Sequence, residues 1–192
     1  MKFTTQLFKS EHLILNGYDP EKDAAREAEF TCNLDYAWAM DVDIIPHPLS
    51  SYEVKKLREE ALKKSDEKKD CYLYSIQVKE DDHFIGTVVF PWISWKNQDG
   101  FFQVSIGEQA EDNLYFEEAL HMALRYAFEE LGLKHTVTRL GGHDEFHLER
   151  MQKAGMTLEV RQRQMHFRGG KLWDRWLVGM SRDEWLRHQI GE

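Results

Sequence analysis

The clearest pattern of apolar and polar positions lies in residues 114–131. Apolar side chains recur there every three or four positions, at Phe116, Leu120, Ala123, Ala127 and Leu131. This spacing predicts an amphipathic helix, and Gly132 is a typical residue to end it. Apolar runs at 101–106 and 135–140 flank the helix. The order strand, helix, strand predicts a crossover unit between parallel strands.

Three apolar runs before this helix predict strands. They cover residues 71–78, 83–90 and 101–106, and short polar turns separate them at 80–82 and 97–100. Because successive strands with short connections pair most easily with their neighbours, these runs predict an antiparallel meander.

The N-terminal part is predicted to contain a strand, a helix and an irregular segment. A short strand is predicted at 13–17, and a helix follows it with Pro20 near its first turn. Residues 32–49 are predicted to be irregular, because Pro46 and Pro48 break any helix there.

Capping signals mark further helices. Ser50 with Glu53, and Ser181 with Glu184, have the spacing of capping boxes. The first box predicts a helix to about Ser65, and the second predicts the final helix of the chain. Between them the pattern predicts a helix at 144–154 and two strands, at 156–167 and 172–180, around a Gly-Gly turn. With no repeat or linker, residues 1–192 are predicted to form a single α+β domain.

Composition excludes several classes of partner. The chain has 192 residues and a formal net charge of −9. An acidic surface repels phosphates, so we expect no nucleic acid and no anionic membrane as partner. No apolar run approaches the ~18 residues of a membrane span, and the N-terminus lacks the apolar core of a signal peptide. Cys32 and Cys71 are too few for a disulfide framework, which fits a reduced, cytoplasmic location.

Several short motifs follow one another along the chain, among them Phe84-Ile-Gly-Thr-Val-Val89 in a predicted strand and Tyr126 to Leu133 at the end of the long predicted helix. Their order resembles that of the GNAT N-acetyltransferases, in which a glycine-containing strand and the helix after the cofactor loop have these patterns. Met151-Gln-Lys-Ala-Gly155 resembles a third family segment. The C-terminal motif, residues 168–174 followed by Asp183-Glu-Trp185, resembles the C-terminal motif of the branch that acetylates the N-termini of ribosomal proteins.

The resemblance covers about residues 11 to 187 and implies a GNAT-like fold, a mixed splayed β-sheet flanked by helices. It implies transfer of an acetyl group from acetyl-CoA to a primary amine, on a protein N-terminus or a small molecule. The alternative is a catalytically degenerate GNAT-fold protein that binds a ligand or a partner. A homodimer is compatible with both.

The resemblance also implies where acetyl-CoA binds. Backbone groups of the strand residues Val104, Ser105 and Ile106 correspond to those that meet the pantetheine amides. The following helix start corresponds to the pyrophosphate site, since helix N-termini attract anions; its residues here are Asn113, Leu114, Tyr115, Phe116 and Glu117. Asp144 matches the residue that opens the next family helix.

Candidate residues for the acceptor side lie on the preceding segments. Glu108 follows the strand end and corresponds to acidic residues that act as general base for the amine in related enzymes. Trp92 and Trp95 flank the implied acceptor groove and are candidates for substrate contact, or else for packing at an edge. A solvated loop carboxylate is the alternative reading of Glu108.

The implied cofactor loop departs from the family pattern. Leu114 and Phe116 stand where family loops have glycines, and Glu111 and Asp112 stand where an Arg is common. Two like charges ~5 Å apart repel by roughly 3 kcal/mol at an effective dielectric constant of ~20. Met151 replaces the family tyrosine that protonates the leaving thiolate. We therefore expect weak binding of acetyl-CoA, or none.

The same acidic residues have a second interpretation. Asn113 is a candidate N-cap, and acids in the first turn stabilise the positive end of a helix. His143 and His147 have a spacing that can chelate zinc, but no third ligand is defined and the motif is not that of a metalloprotease. We expect no metal there.

Overall fold

The computed structural model describes residues 6–40 and 46–190, which form seven strands and six helices. In chain order these are β1 (Leu13–Gly17), α1 (Pro20–Phe30), α2 (Leu34–Met40), α3 (Ser51–Lys68), β2 (Tyr72–Val78), β3 (Phe84–Ser94), β4 (Asp99–Ile106), α4 (Gln109–Arg125), β5 (His135–Gly141), α5 (Glu145–Lys153), β6 (Thr157–Arg168), β7 (Lys171–Ser181) and α6 (Arg182–Ile190). A π-helical turn at Tyr126–Glu130 continues α4.

The strands form one mixed sheet in the order β1-β2-β3-β4-β5-β7-β6. Pairing is antiparallel between β1 and β2, β2 and β3, β5 and β7, and β7 and β6. Strands β4 and β5 pair in parallel, with Asp99–Phe101 opposite residues 135–137. The mixed α+β architecture predicted from the sequence is therefore confirmed.

By its contacts the chain divides into two compact units. The first contains residues 1–92 and 103–123, and the second contains residues 93–102 and 124–192. The organisation of residues 1–192 as a single domain stays a prediction.

An aromatic cluster organises the first unit. The Phe30 ring of α1 stacks on Phe84 of β3 at 5.8 Å between centroids and meets Tyr36 of α2 edge-on at 5.4 Å. Tyr18 and Leu73 complete this buried cluster. Its members come from four different elements, so one cluster joins α1, α2 and the β2–β3 hairpin.

A buried ion pair links α1 to α3 beside this cluster. Glu27 and Arg58 are both buried and form a two-pronged contact, with Arg58 Nε donating to Glu27 Oε2 at 3.0 Å. Tyr18 and Tyr36 donate their hydroxyls to the same carboxylate at 2.6 and 3.0 Å. Burial, followed by the charge of Glu27, raises the pKa of both tyrosines, so they stay protonated donors.

Both predicted capping boxes are confirmed. Ser50 and Glu53 exchange hydrogen bonds in a complete capping box at the start of α3. Ser181 and Glu184 do the same at α6. The backbone hydrogen bond from Ser50 lowers the pKa of Glu53 below its usual range.

In the second unit, β7 lies between β5 and β6. The β6–β7 hairpin turns at Gly169 and Gly170, whose φ angles are +57° and +75°. Positive φ at both central residues characterises a type I′ turn, which glycine adopts without strain. The Gly-Gly turn predicted from the sequence is confirmed.

Two predicted boundaries were wrong. Residues 34–40 form α2 within the segment predicted to be irregular, because the prolines lie beyond the helix end at Met40; residues 41–45 of that segment lie outside the described part. Strand β3 runs on to Ser94 through Pro91. Its ladder with β2 ends at Phe90, so Pro91 interrupts no hydrogen bond on that side.

No helix among residues 6–40 and 46–190 is long and apolar enough to cross a membrane.

Candidate active site

The connection between β4 and α4 consists of only two residues, Gly107 and Glu108. Gly107 N–H donates to the carbonyl of Ile85 at 2.9 Å. A Cβ on Gly107 would lie 2.0 Å from the ring of Phe30. The end of β4 is therefore held against both β3 and α1, which fixes the position of the following carboxylate.

A second glycine allows β3 and β4 to approach closely. A Cβ built on Gly86 would lie 2.0 Å from the carbonyl oxygen of Ser105. The ladder between β2 and β3 shifts register at this point, since Ile76 pairs with Gly86 and Gln77 pairs with Phe84. The glycine of the family-like strand 84–89 thus serves backbone packing.

The last residues of β4 present backbone groups at the edge away from β3. Backbone groups alternate between the two edges of a strand. Because Gly107 donates towards β3, the N–H and C=O groups of Val104 and Ile106 point to the opposite edge. The side chains of Val104, Ser105 and Ile106 are buried, so only their backbones can meet a ligand.

Glu108 is half-exposed and forms an ion pair with Arg26 of α1. Arg26 also pairs with Glu29 and lies over the Phe30 ring, 4.8 Å from its centroid. The hydrogen bond to Glu29, followed by that to Glu108, raises the pKa of Arg26. Glu108 is thus a carboxylate oriented from a neighbouring helix and still open to solvent.

Helix α4 starts at Gln109, five residues before the predicted start. Asp112 N–H already donates to the carbonyl of Glu108 at 2.8 Å. The prediction that Asn113 caps the helix is therefore wrong: the short connection and the first-turn hydrogen bond start the helix earlier. Leu114 is 70% exposed, whereas Phe116 is only 2% exposed and packs inwards.

Histidines bind two of the acidic side chains on α4. His83 Nε2 lies 2.7 Å from Glu111 Oε1, and its Nδ1 contacts Asp81. His12 bonds Glu118 through both its backbone N–H, at 2.8 Å, and its ring, at 3.0 Å. Burial lowers the pKa of His83, but the bonds to Asp81 and Glu111 outweigh it, and the pKa is raised.

Comparison with known proteins identifies the family. The family model described as the Acetyltransferase (GNAT) domain matches residues 12–157. The chain belongs to the GNAT acetyltransferase family. No curated protein matches its sequence.

Solved structures with the GNAT fold resemble this GNAT chain at low identity. Spermidine N-acetyltransferase from Vibrio cholerae in complex with CoA and spermine has a TM-score of 0.75 and 16% identity, over 91% of this chain and 98% of that one. The same enzyme in a dodecameric intermediate state has a TM-score of 0.73 and 16% identity, over 92% and 97%. At this identity the likeness shows the fold, and the ribosomal-protein branch stays a prediction.

GNAT acetyltransferases use acetyl-CoA, and the residues of this GNAT protein fit that cofactor in one part only. The backbone groups of Val104 and Ile106 that point away from β3 suit the amides of a pantetheine arm, and the Val104 carbonyl there accepts a hydrogen bond from Gln103 Nε2 at 3.4 Å. Residues 113–117, which the resemblance matches to the pyrophosphate site, do not suit a pyrophosphate, because they are already inside α4 and their N–H groups face carbonyls one turn earlier.

Three further residues of this GNAT chain were predicted to belong to the site: Asp144, Trp92 and Trp95. Asp144 caps α5, accepting from His147 N–H at 3.2 Å, and it also binds the His147 ring at 2.8 Å. Burial raises the pKa of Asp144, but the bonds to His147 outweigh it and the pKa is lowered. Trp92 and Trp95 are 43% and 45% exposed, so both are accessible to a ligand.

The histidine pair considered for zinc is engaged elsewhere. The ring of His143 stacks on His166 at 5.1 Å between centroids, while His147 binds Asp144. Within the described residues, no group of three or more His, Cys, Asp or Glu side chains is placed to hold a metal ion.

Sequence reasoning missed the contacts that orient the site. Arg26 meets Glu108 across 82 positions, and His83 meets Glu111 across 28. No local motif encodes such pairs. The usable signal was the charge pattern, since residues 108–124 contain five carboxylates and no Lys or Arg, and so need cations from other elements.

Proposed function

We propose that this GNAT protein transfers an acetyl group from acetyl-CoA to a primary amine. The main support for this proposal is the position of Glu108. It is a solvent-accessible carboxylate directly after β4, and Arg26 holds it in place. A carboxylate there can attract an ammonium group and accept its proton. Support comes from the family match over residues 12–157.

The acceptor we favour is a small cationic amine. The chain carries a net charge of −9, which attracts cations to its surface. The similar solved structures are spermidine N-acetyltransferases, one of them bound to spermine. A protein N-terminus, implied by the C-terminal motif, is the other acceptor to test. Trp92 and Trp95 are proposed to contact the acceptor's alkyl chain.

Assembly and location belong to the same proposal. One similar enzyme is dodecameric, so association of identical chains is consistent with this fold, and a homodimer is the smallest such assembly. Two free cysteines, Cys32 and Cys71, are consistent with a reduced, cytoplasmic compartment.

The test is acetylation by the purified chain. Acetyl-CoA is incubated with polyamines, simple alkylamines and N-terminal peptides, and acetylated products are measured by mass spectrometry. Glu108→Gln should lower kcat by about 10²–10⁴-fold, the usual contribution of a positioned base. Glu60→Gln, an exposed carboxylate on α3, is the control and should leave kcat unchanged. Absence of product from every amine would refute the proposal.

A second candidate is a GNAT-fold binding protein without catalysis. Two observations favour it: residues 113–117 lie inside α4, and Met151, which the resemblance puts in place of the family acid, is 1% exposed and has no acidic proton to donate. In that case calorimetry shows that spermidine binds, while mass spectrometry finds no acetylated product after incubation with acetyl-CoA.

A further inference from the structure

We propose that this protein recognises its acyl donor through the pantetheine arm alone, so that the diphosphate and nucleotide of CoA add little to binding. The donor class is then a pantetheine thioester, with or without an attached nucleotide. This inference rests on the acetyl-transfer function proposed above and specifies its donor.

The backbone N–H groups of residues 113–117 are used within α4. A helix N-terminus binds phosphate through N–H groups that have no partner inside the helix. Here Asp112 N–H donates to the carbonyl of Glu108 at 2.8 Å, and α4 is regular from Gln109 onwards. The N–H groups of residues 113–117 are therefore used within the helix. The segment that the resemblance matches to the family's phosphate loop offers none of them to a ligand. The N–H groups that precede the first helical hydrogen bond are those of residues 109–111, and they adjoin the carboxylates of Glu108, Glu111 and Asp112 along the chain.

The same end of α4 carries negative charge. Residues 108–118 contain Glu108, Glu111, Asp112, Glu117 and Glu118, without a Lys or Arg. Glu111 binds His83 through Oε1, and its Oε2 is buried without a hydrogen-bond partner among the described residues. A phosphate beside this carboxylate would meet like charge in a partly desolvated place, where repulsion is strongest.

The cations that contact this segment already have carboxylate partners. Arg26 is bonded by Glu29 and Glu108, and His83 is bonded by Asp81 and Glu111. Each cation thus already has two carboxylate partners. A diphosphate would have to displace a protein carboxylate from one of them before gaining an ion pair.

The edge of β4 remains suited to the other half of the donor. The backbone groups of Val104 and Ile106 point away from β3. A pantetheine arm carries two amides with alternating donors and acceptors, which such an edge binds as a further strand would. Recognition by neutral amides does not require phosphate.

Calorimetry on the full chain tests the proposal with three probes: CoA, pantetheine and 3′-phosphoadenosine 5′-diphosphate. CoA and pantetheine should bind with dissociation constants within about threefold of each other, and the nucleotide should show no binding at roughly millimolar concentration. The CoA affinity should not fall as salt is raised, because salt weakens an attractive contact to the diphosphate and there should be none to weaken.

Turnover gives an independent readout. The values of kcat/KM for acetyl-CoA and acetyl-pantetheine should agree within about threefold, since the groups that differ make no favourable contact. If CoA binds roughly 30-fold tighter than pantetheine, or if the nucleotide binds by itself, the inference is overturned while acetyl transfer still stands. If neither CoA nor pantetheine binds, both the inference and the proposed function fail.

Discussion

At the scale of single residues, glycines and one methionine decide how the site is built. Gly86 and Gly107 permit backbone approaches that any side chain would block. Met151, which the sequence resemblance matches to the family's acid, is 1% exposed and packs in the interior. The identity of these residues was readable from the sequence; what each contacts was not, because the partners lie on other elements.

Gly86→Ala should destabilise the fold. The new Cβ would lie 2.0 Å from a backbone oxygen, which cannot move aside as a flexible side chain can. Overpacking of this kind costs about 1–3 kcal/mol of unfolding free energy. Gly17→Ala is the control, since nothing lies within 4 Å of its Cβ, and it should be nearly neutral. Urea denaturation measures both; equal stabilities for the two variants would contradict the close approach of β3 and β4.

Met151→Tyr should not simply restore a catalytic acid. The site is 1% exposed, so the larger ring must displace its neighbours and its hydroxyl needs a buried partner. We expect a loss of about 1–3 kcal/mol in unfolding free energy, against less than about 1.5 kcal/mol for Met151→Leu. Thermal unfolding of both variants checks this. A tyrosine variant as stable as the wild type would show that the position has room for a donor.

At the scale of elements, the predictions succeeded where the signal was local. The capping boxes at α3 and α6 and the Gly-Gly turn of the β6–β7 hairpin depend on residues within four positions of each other, and all were found. The start of α4 was misplaced because residues 109–113 are mostly polar and include Asp112 and Asn113, which are poor helix formers, so that the stretch resembles a loop when its fold context is unknown. Resemblance to a family loop favoured the same error.

The ion pair between Glu27 and Arg58 joins α1 to α3, and its loss should be costly. Glu27→Gln leaves the buried Arg58 guanidinium without a counter-charge, and breaking a buried pair in this way costs about 3–5 kcal/mol. The exposed Glu60→Gln on α3 is the matched control and should stay within about 0.5 kcal/mol of wild type. Unfolding in urea measures the difference. A variant that retained wild-type stability would show that the tyrosine hydroxyls hold these helices without the charge.

At the scale of the whole molecule, carboxylates outnumber cations, and histidines provide part of the missing positive charge. His83 in the first unit and His135 in the second each lie between two carboxylates. Burial lowers the pKa of His135, but its bonds to Glu159 and Asp99 outweigh it, so this pKa is raised like that of His83. A raised pKa in the folded state means that folding favours the protonated ring.

Stability should therefore fall as pH rises through the raised pKa values of these histidines. Their contribution is fully present below about pH 6.5, the usual histidine value, and disappears above the folded-state values. The double variant His83→Gln/His135→Gln should accordingly lose more Tm, relative to wild type, at about pH 6 than at about pH 9. These two pH values lie on either side of the range in which the rings titrate. His188→Gln, at an exposed position on α6, is the control. An equal loss of Tm at both pH values would mean that these rings stabilise the fold by packing rather than by charge.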